Sequence, residues 1–210
     1  MGYVSAFERH RIDTDGSGIR TLICLYGCTL RCKYCPNRFA IESEEDVQRL
    51  SRSADDLLYE VMVDDIYFRA TGGGVTFGGG EPLMQAEFIK EFIEKAPRSW
   101  SFNVETSLAV PFKNIALIAP YIDRFFVDIK TLNPKKYNEY TEGNLKLAKK
   151  NLKKLKRLVG SEKIIVRIPT IPDLVDSALQ DKEERKLKML GFTHIDKFDY
   201  QVYYPWQRKR

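Results

Sequence analysis

Cys28, Cys32 and Cys35 stand within the stretch Gly27-Cys28-Thr29-Leu30-Arg31-Cys32-Lys33-Tyr34-Cys35-Pro36-Asn37, in the spacing C-x3-C-x2-C. In a reducing compartment thiols stay free, and a group this tight reads as a metal site rather than a disulfide. A structural zinc site wants four ligands, typically as two separated pairs, and neither His10 nor His194 stands at a spacing that completes one. The fourth cysteine, Cys24, lies inside an apolar run and reads as a small buried hydrophobe. Three ligands suit an iron-sulfur cube in which one iron lacks a protein ligand. That open coordination position can take a substrate or cofactor directly, as an open zinc position does.

Such a loop needs a rigid strand before it and a sheet around it. Apolar, β-branched or aromatic runs predict six strands, at Ile19 to Tyr26, Gly74 to Phe77, Ser101 to Thr106, Arg124 to Ile129, Lys163 to Ile168 and Phe198 to Tyr204. Between them the helical period predicts Ala54 to Ala70, capped by Ser53 with Asp55 and Asp56 in its first turn, then Gln85 to Lys95, Pro111 to Ala119, Asn144 to Leu158 and Asp176 to Leu190. Alternating strand and helix implies βαβ units around a parallel sheet, with ligand loops at the carboxyl ends of the strands. No linker or repeat interrupts residues 1–210, so one domain is expected.

Composition sets the outer limits. A chain of 210 residues with 43% hydrophobic content can bury a core without disulfides, and it contains no apolar run near the ~20 residues of a membrane span. Met1 to Glu8 lacks the basic start and apolar middle of a signal peptide, so a cytoplasmic protein is expected. In the basic segment Lys146 to Arg157, Leu145, Ala148, Leu152, Leu155 and Leu158 mark one apolar face. The seven Lys and Arg residues around it read first as a solvated surface, with an acidic-partner or nucleic-acid patch as the second reading.

The cysteine spacing after the first predicted strand, with aromatic Tyr34 before the third cysteine, resembles the signature of the radical S-adenosylmethionine (SAM) enzymes. Further matches are Asp15-Gly16-Ser17-Gly18-Ile19-Arg20, Gly72-Gly73-Gly74-Val75-Thr76-Phe77 leading into Gly79-Gly80-Glu81-Pro82, and Asp128-Ile129-Lys130. Together, from about Val4 to Ile171, they resemble the glycyl radical enzyme activating enzymes of the pyruvate formate-lyase activase type. The resemblance implies an α/β fold, a partial (β/α)6 TIM-like barrel open on one side. It also implies that Cys28, Cys32 and Cys35 bind a [4Fe-4S] cluster whose free iron is chelated by SAM. One electron then cleaves the sulfonium, and the 5′-deoxyadenosyl radical takes a hydrogen from a glycine of a partner enzyme. The implied partners are that glycyl radical enzyme and a flavodoxin or ferredoxin-type reductant, with no nucleic acid, no membrane and a monomeric chain.

The same resemblance assigns SAM contacts to Tyr34, Gly79, Gly80, Glu81 and Asp128, Ile129, Lys130, Thr131 and Leu132, and a monovalent cation site to Glu105, Thr106 and Asp128. Gly79 and Gly80 are expected to let backbone approach the methionine amino group, with Glu81 adding a carboxylate there, although glycines after a strand also make plain turns. Lys130 reads either as a SAM contact or as half of a structural ion pair. Arg167, an ionised group within Val166-Arg167-Ile168, is expected to point into the barrel, where it reads as a cofactor-binding residue or as one half of a buried pair. Three features depart from the family pattern: Glu105 replaces the usual Asp, no cysteine follows Cys35 to build a ferredoxin-like insert, and Tyr203-Tyr204-Pro205-Trp206 stands where the family has a SAM-contacting histidine. Other readings are a small-molecule radical SAM oxidoreductase, such as a 7-carboxy-7-deazaguanine synthase, and, more remotely, a non-catalytic iron-sulfur or zinc protein.

Overall fold

The computed structural model describes residues 1–38 and 47–200. Its strands are β1 (Gly2–Ile12), β2 (Ile19–Leu25), β3 (Ser51–Arg52), β4 (Gly74–Gly79), β5 (Ser101–Thr106), β6 (Arg124–Asp128), β7 (Ile164–Thr170) and β8 (His194–Asp199). They form one sheet in the order β3-β1-β2-β4-β5-β6-β7-β8. From β2 through β8 every neighbouring pair is parallel, whereas β1 runs antiparallel to both β2 and β3. The six parallel strands are the expected open (β/α)6 partial barrel, extended at one edge by an antiparallel pair.

The helices are α1 (Ala54–Val61), α2 (Asp65–Thr71), α3 (Ala86–Lys95), α4 (Phe112–Ile118), α5 (Pro134–Thr141), α6 (Leu145–Val159) and α7 (Ser177–Met189). None among the described residues is long and apolar enough to cross a membrane. Alternate strand residues, among them Val75, Phe77, Val104, Phe125, Val127 and Val166, face outward and join Ile89, Phe92, Ile115, Leu152 and Leu155 of the helices in one core. Phe92 is fully buried and meets the Phe77 ring edge-on at 5.7 Å. Truncating it would cost about 3–5 kcal/mol, which makes it a keystone of the α3 packing.

Several elements depart from the sequence reading. Residues Ala54 to Ala70 do not form one helix: a short 3-10 turn, Met62–Asp64, separates α1 from α2. There the buried Asp64 carboxylate accepts hydrogen bonds from Thr21 Oγ1 and Arg9 Nη1, tying the break to β1 and β2. In α6, Leu158 is half exposed, and the fifth inward position belongs to Asn151, whose side-chain amide donates to the carbonyls of Leu108 and Val110. The last strand lies earlier than predicted, at His194–Asp199, because an edge strand with mostly exposed polar residues carries no apolar run. Residues 201–204 of that predicted strand lie outside the described residues.

Candidate functional site

The loop that follows β2 carries the three cysteines, and α5 is the element that seats it. The N–H groups of Arg31 and Lys33 donate to the carbonyls of Thr141 and Tyr140 at 2.8 and 2.9 Å. The Tyr200 hydroxyl donates to the carbonyl of Tyr34, and Asn37 Nδ2 reaches the Gly79 carbonyl at 2.9 Å. Held this way, all three cysteines line one cavity of about 220 Å³, beside the turn that follows β4 and the ends of β5, β6 and β7. The three thiols are free. Among the described residues no three His, Cys, Asp or Glu side chains gather around a single-ion position; a cluster gives each thiolate its own iron and needs no such convergence. Burial pushes the Cys28 thiol up to about 11, against the Leu30 N–H that points at its sulfur, and raises Cys32 against the pull of Lys130. A bound cation would reverse both shifts. Cys24 is buried within β2, apart from this cavity, as expected of a packing residue.

Gly79, Gly80 and Glu81 line the cavity too, but the glycines have another reason to be there. A Cβ on Gly79, where φ is +91°, would stand 2.7 Å from Cys24 Cα, and one on Gly80 would stand 2.1 Å from the Gly27 carbonyl oxygen. The turn therefore packs backbone to backbone against the end of β2, and the N–H groups of Gly80 and Glu81 donate to the carbonyls of Leu25 and Gly27. Glu81 is fully buried and already accepts four hydrogen bonds, from Thr106 Oγ1, Leu83 N, Ser107 N and Ser107 Oγ. Burial raises its carboxyl pKa against those four donors. Ser107, at the end of β5, gave no signal in the sequence beyond following Glu105-Thr106.

Among the described residues, the remaining buried polar lining is paired except at one atom. Arg167 does point inward: its Nη1 lies 2.5 Å from Glu105 Oε1, its Nη2 donates to the Thr14 carbonyl, and its guanidinium lies over the Phe126 ring. The extra methylene of Glu105 thus ends on a fixed internal cation. Lys130 Nζ lies 3.1 Å from Asp128 Oδ2; burial pulls the lysine pKa down, and Asp128, Cys32, Tyr140 and Tyr200 together raise it above the ordinary value. Asp128 Oδ1 is buried without a partner. Tyr34, Ile129, Thr131 and Leu132 are not part of the lining. Tyr34 packs against Tyr140, Ile129 belongs to the outer core, and Thr131 Oγ1 and Leu132 N both donate to Glu183 Oε1, a buried α7 carboxylate that the sequence did not single out.

Asp15 to Arg20 lies at the opposite end of the sheet. The buried Arg20 guanidinium bonds Thr76 Oγ1, Ser101 Oγ and the Val75 carbonyl, and the Asp15 carbonyl accepts from Asn103 Nδ2. Burial lowers the Arg20 pKa to about 10. Groups at this end of a β/α barrel serve stability rather than chemistry. Residues Tyr203 to Trp206, in the place of the family's histidine, lie outside the described residues.

The cavity suits a metal cluster with an amino-acid ligand on two counts: three free thiols, and a buried carboxylate oxygen short of a donor beside a lysine ammonium. Comparisons with known proteins point the same way. The family model described as the radical SAM superfamily matches residues 22–183. The chain is 33% identical over 189 residues to the pyruvate formate-lyase 2-activating enzyme of Escherichia coli (strain K12), covering 75% of this chain and 63% of that enzyme. It is 30% identical over 235 residues to the (2S)-3-sulfopropanediol dehydratase activating enzyme of Klebsiella oxytoca, covering 83% and 73%. In structure it resembles Streptococcus suis SuiB bound to S-adenosylmethionine, with a TM-score of 0.64 over 88% of this chain and 41% of SuiB at 16% identity, a likeness of fold. A three-cysteine loop at the mouth of an open parallel barrel thus meets a family match over most of the same barrel, and the chain belongs to the radical SAM superfamily, among relatives that are activating enzymes.

Proposed function

We propose that this chain activates a glycyl radical enzyme, using a [4Fe-4S] cluster held by Cys28, Cys32 and Cys35 and SAM bound beside it. Bound there, the pair supplies a 5′-deoxyadenosyl radical by one-electron cleavage of the sulfonium. The observation that carries the reading is the meeting of the three free thiols with the unpartnered Asp128 Oδ1 in one cavity. The names of the two activating relatives support a protein substrate.

Each lining residue then has a distinct task. The three thiolates hold the metal. Asp128 Oδ1, the acceptor that lacks a donor, takes the methionine amino group, while Lys130 keeps a positive charge next to it for the carboxylate. Glu81, with four donors already, acts by fixing Ser107 and the turn of Gly79 and Gly80. Arg167 holds Glu105, so the guanidinium takes the place in which a monovalent cation was expected; exchange of sodium for a bulky organic cation is expected to leave SAM affinity unchanged. The reading carries with it a single-domain monomer in the cytoplasm and a flavodoxin or ferredoxin-type reductant.

The test is anaerobic reconstitution followed by reduction with SAM in the presence of a glycyl radical enzyme or a peptide copied from its glycine loop. A glycine-centred radical signal in that partner, with one 5′-deoxyadenosine formed per radical, is the expected result. SAM cleavage that never transfers to a glycine, across a panel of such partners, would overturn it in favour of a small-molecule substrate.

A further inference from the structure

The basic helix α6 carries six lysines and one arginine and no acidic residue in its 15 positions. Other surface helices of this chain neutralise their lysines: Lys90 and Lys95 of α3 pair with Glu94 and Glu91, and Lys188 of α7 pairs with Glu184. By contrast, Lys146, Lys149, Lys150 and Lys153, at helical spacings of three and four, make no ion pair among the described residues. They line one side of a groove of about 860 Å³ whose opposite wall is Pro134 and Asn138 of α5 and the turn at Gly143, with Glu142 as the acidic group in the lining. A face built only for solubility mixes both signs of charge. This one is a concave surface on which four lysines stand against one glutamate, a net positive field that concentrates and steers an oppositely charged partner.

Its position gives the partner a purpose. Gly143 lines the groove, and Leu30 lines the cysteine cavity. The two are in direct contact, since a Cβ on Gly143 would lie 2.3 Å from Leu30 Cδ2. One layer of residues therefore separates the basic groove from the cysteine cavity, and the carbonyls of Tyr140 and Thr141 on that same wall hold the cysteine loop. Resting on the proposed function above, we infer that this lysine groove is the docking site for an acidic electron-donor protein of the flavodoxin type, seated so that its flavin edge faces the Leu30–Gly143 wall. In the transfer one electron leaves the donor's reduced flavin and one enters the cluster, and no bond forms or breaks on this chain.

The experiment compares the reconstituted protein with a variant carrying K146E, K149E, K150E and K153E, and with one carrying arginine at the same four positions. Cluster reduction is followed by the bleaching of its absorbance, driven either by an acidic flavodoxin hydroquinone or by dithionite. Binding of the same flavodoxin to the cluster-free chain is measured separately by fluorescence anisotropy, from about 0.02 to about 0.2 M salt, a range over which screening changes strongly. Expected for the glutamate variant is a loss of about tenfold or more in flavodoxin-driven rate and in affinity, with a flattened salt dependence. Dithionite should reduce all three proteins alike, and the arginine variant should behave as the parent. Unchanged flavodoxin rate and salt slope in the glutamate variant would overturn the inference, as would a single-stranded oligonucleotide that binds the groove more tightly than flavodoxin does at the same salt. Failure of the cluster to assemble, or of dithionite to reduce it, would instead count against the proposed function.

Discussion

Gly80→Ala adds one methyl group to the turn after β4 and separates two roles that a glycine can have there. The Cβ would stand 2.1 Å from the Gly27 carbonyl oxygen and 2.9 Å from its carbon, and both are backbone atoms that cannot rotate away. Gly80 is not in the left-handed region, so the collision is the whole of the strain. Relief requires the turn to draw back from β2, which stretches the bonds from Gly80 N–H to Leu25 and from Glu81 N–H to Gly27, now 3.0 and 2.7 Å. Overpacking costs about 1–3 kcal/mol and the two stretched hydrogen bonds together roughly 1 kcal/mol, so a loss of about 2–4 kcal/mol is expected. For a chain of this length that lowers Tm by roughly 4–16 °C, taking about 2–4 °C per kcal/mol. Gly72→Ala is the comparator: its Cβ would meet nothing within 4 Å, and the cost is the left-handed backbone alone, about 1 kcal/mol. The assay is thermal and urea unfolding of the cluster-free protein, so that no ligand contributes. A Gly80→Ala protein as stable as the parent, or less destabilised than Gly72→Ala, would refute the packing role and return the glycine to ligand approach.

Three further outcomes are expected. Replacing Cys28, Cys32 or Cys35 by Ala should each abolish assembly of about four iron and four sulfide per chain, while Cys24→Ala should not, as measured by iron and sulfide analysis; stoichiometric zinc without sulfide would contradict the site. Glu105→Ala should destabilise by about 2–4 kcal/mol in urea unfolding, because it strands the Arg167 guanidinium, and Glu105→Ala with Arg167→Met should recover part of that loss; no recovery would mean the pair is not what the site rests on. Burial raises the Glu183 carboxyl pKa, so its contribution to stability is fully present below the ordinary value of about 4.3 and is lost as pH rises through the folded-state value. Glu183→Gln keeps an acceptor for Thr131 and Leu132 without the charge. The variant should gain on the parent as pH rises through that range, and parallel pH profiles of the urea midpoint would contradict the burial effect.

The motifs legible in the sequence were those where residue type alone constrains chemistry or conformation. Three clustered thiols, a Gly-Gly-Glu turn and an arginine inside a strand all have few alternative uses, and all reach the same cavity. Strand β1 was missed because its alternation is broken at two register shifts, between Val4 and Ala6 and between Glu8 and Arg11, with His10 in a left-handed conformation at φ 55°. Helix α5 was missed because its buried residues are Tyr137, Tyr140 and Thr141 rather than aliphatics. Its start was nonetheless written in Asn133-Pro134, a side-chain cap followed by proline at the first helical position. What the one-dimensional pattern could not carry was saturation: that Glu81 is already bonded four times and Asp128 is one bond short depends on atoms far apart in the chain. The same holds for Asn37, Glu183 and Tyr200, whose polar groups act across 42, 52 and 166 positions of sequence.

The seat that α5 provides for the cysteine loop bears on how this protein meets oxygen. In a zinc finger the metal is the fold, and removing it leaves a disordered chain. Here the loop is fastened through main-chain bonds from Arg31 and Lys33, which involve no thiol, and the core beneath it is built of apolar side chains rather than of metal ligands. On the proposed function, loss of the cluster is therefore expected to leave a shaped receptor with its ligands still in place. Exposure to oxygen would then be an interruption that resupply of iron and sulfide under reducing conditions is expected to mend, with no need to synthesise or refold the chain.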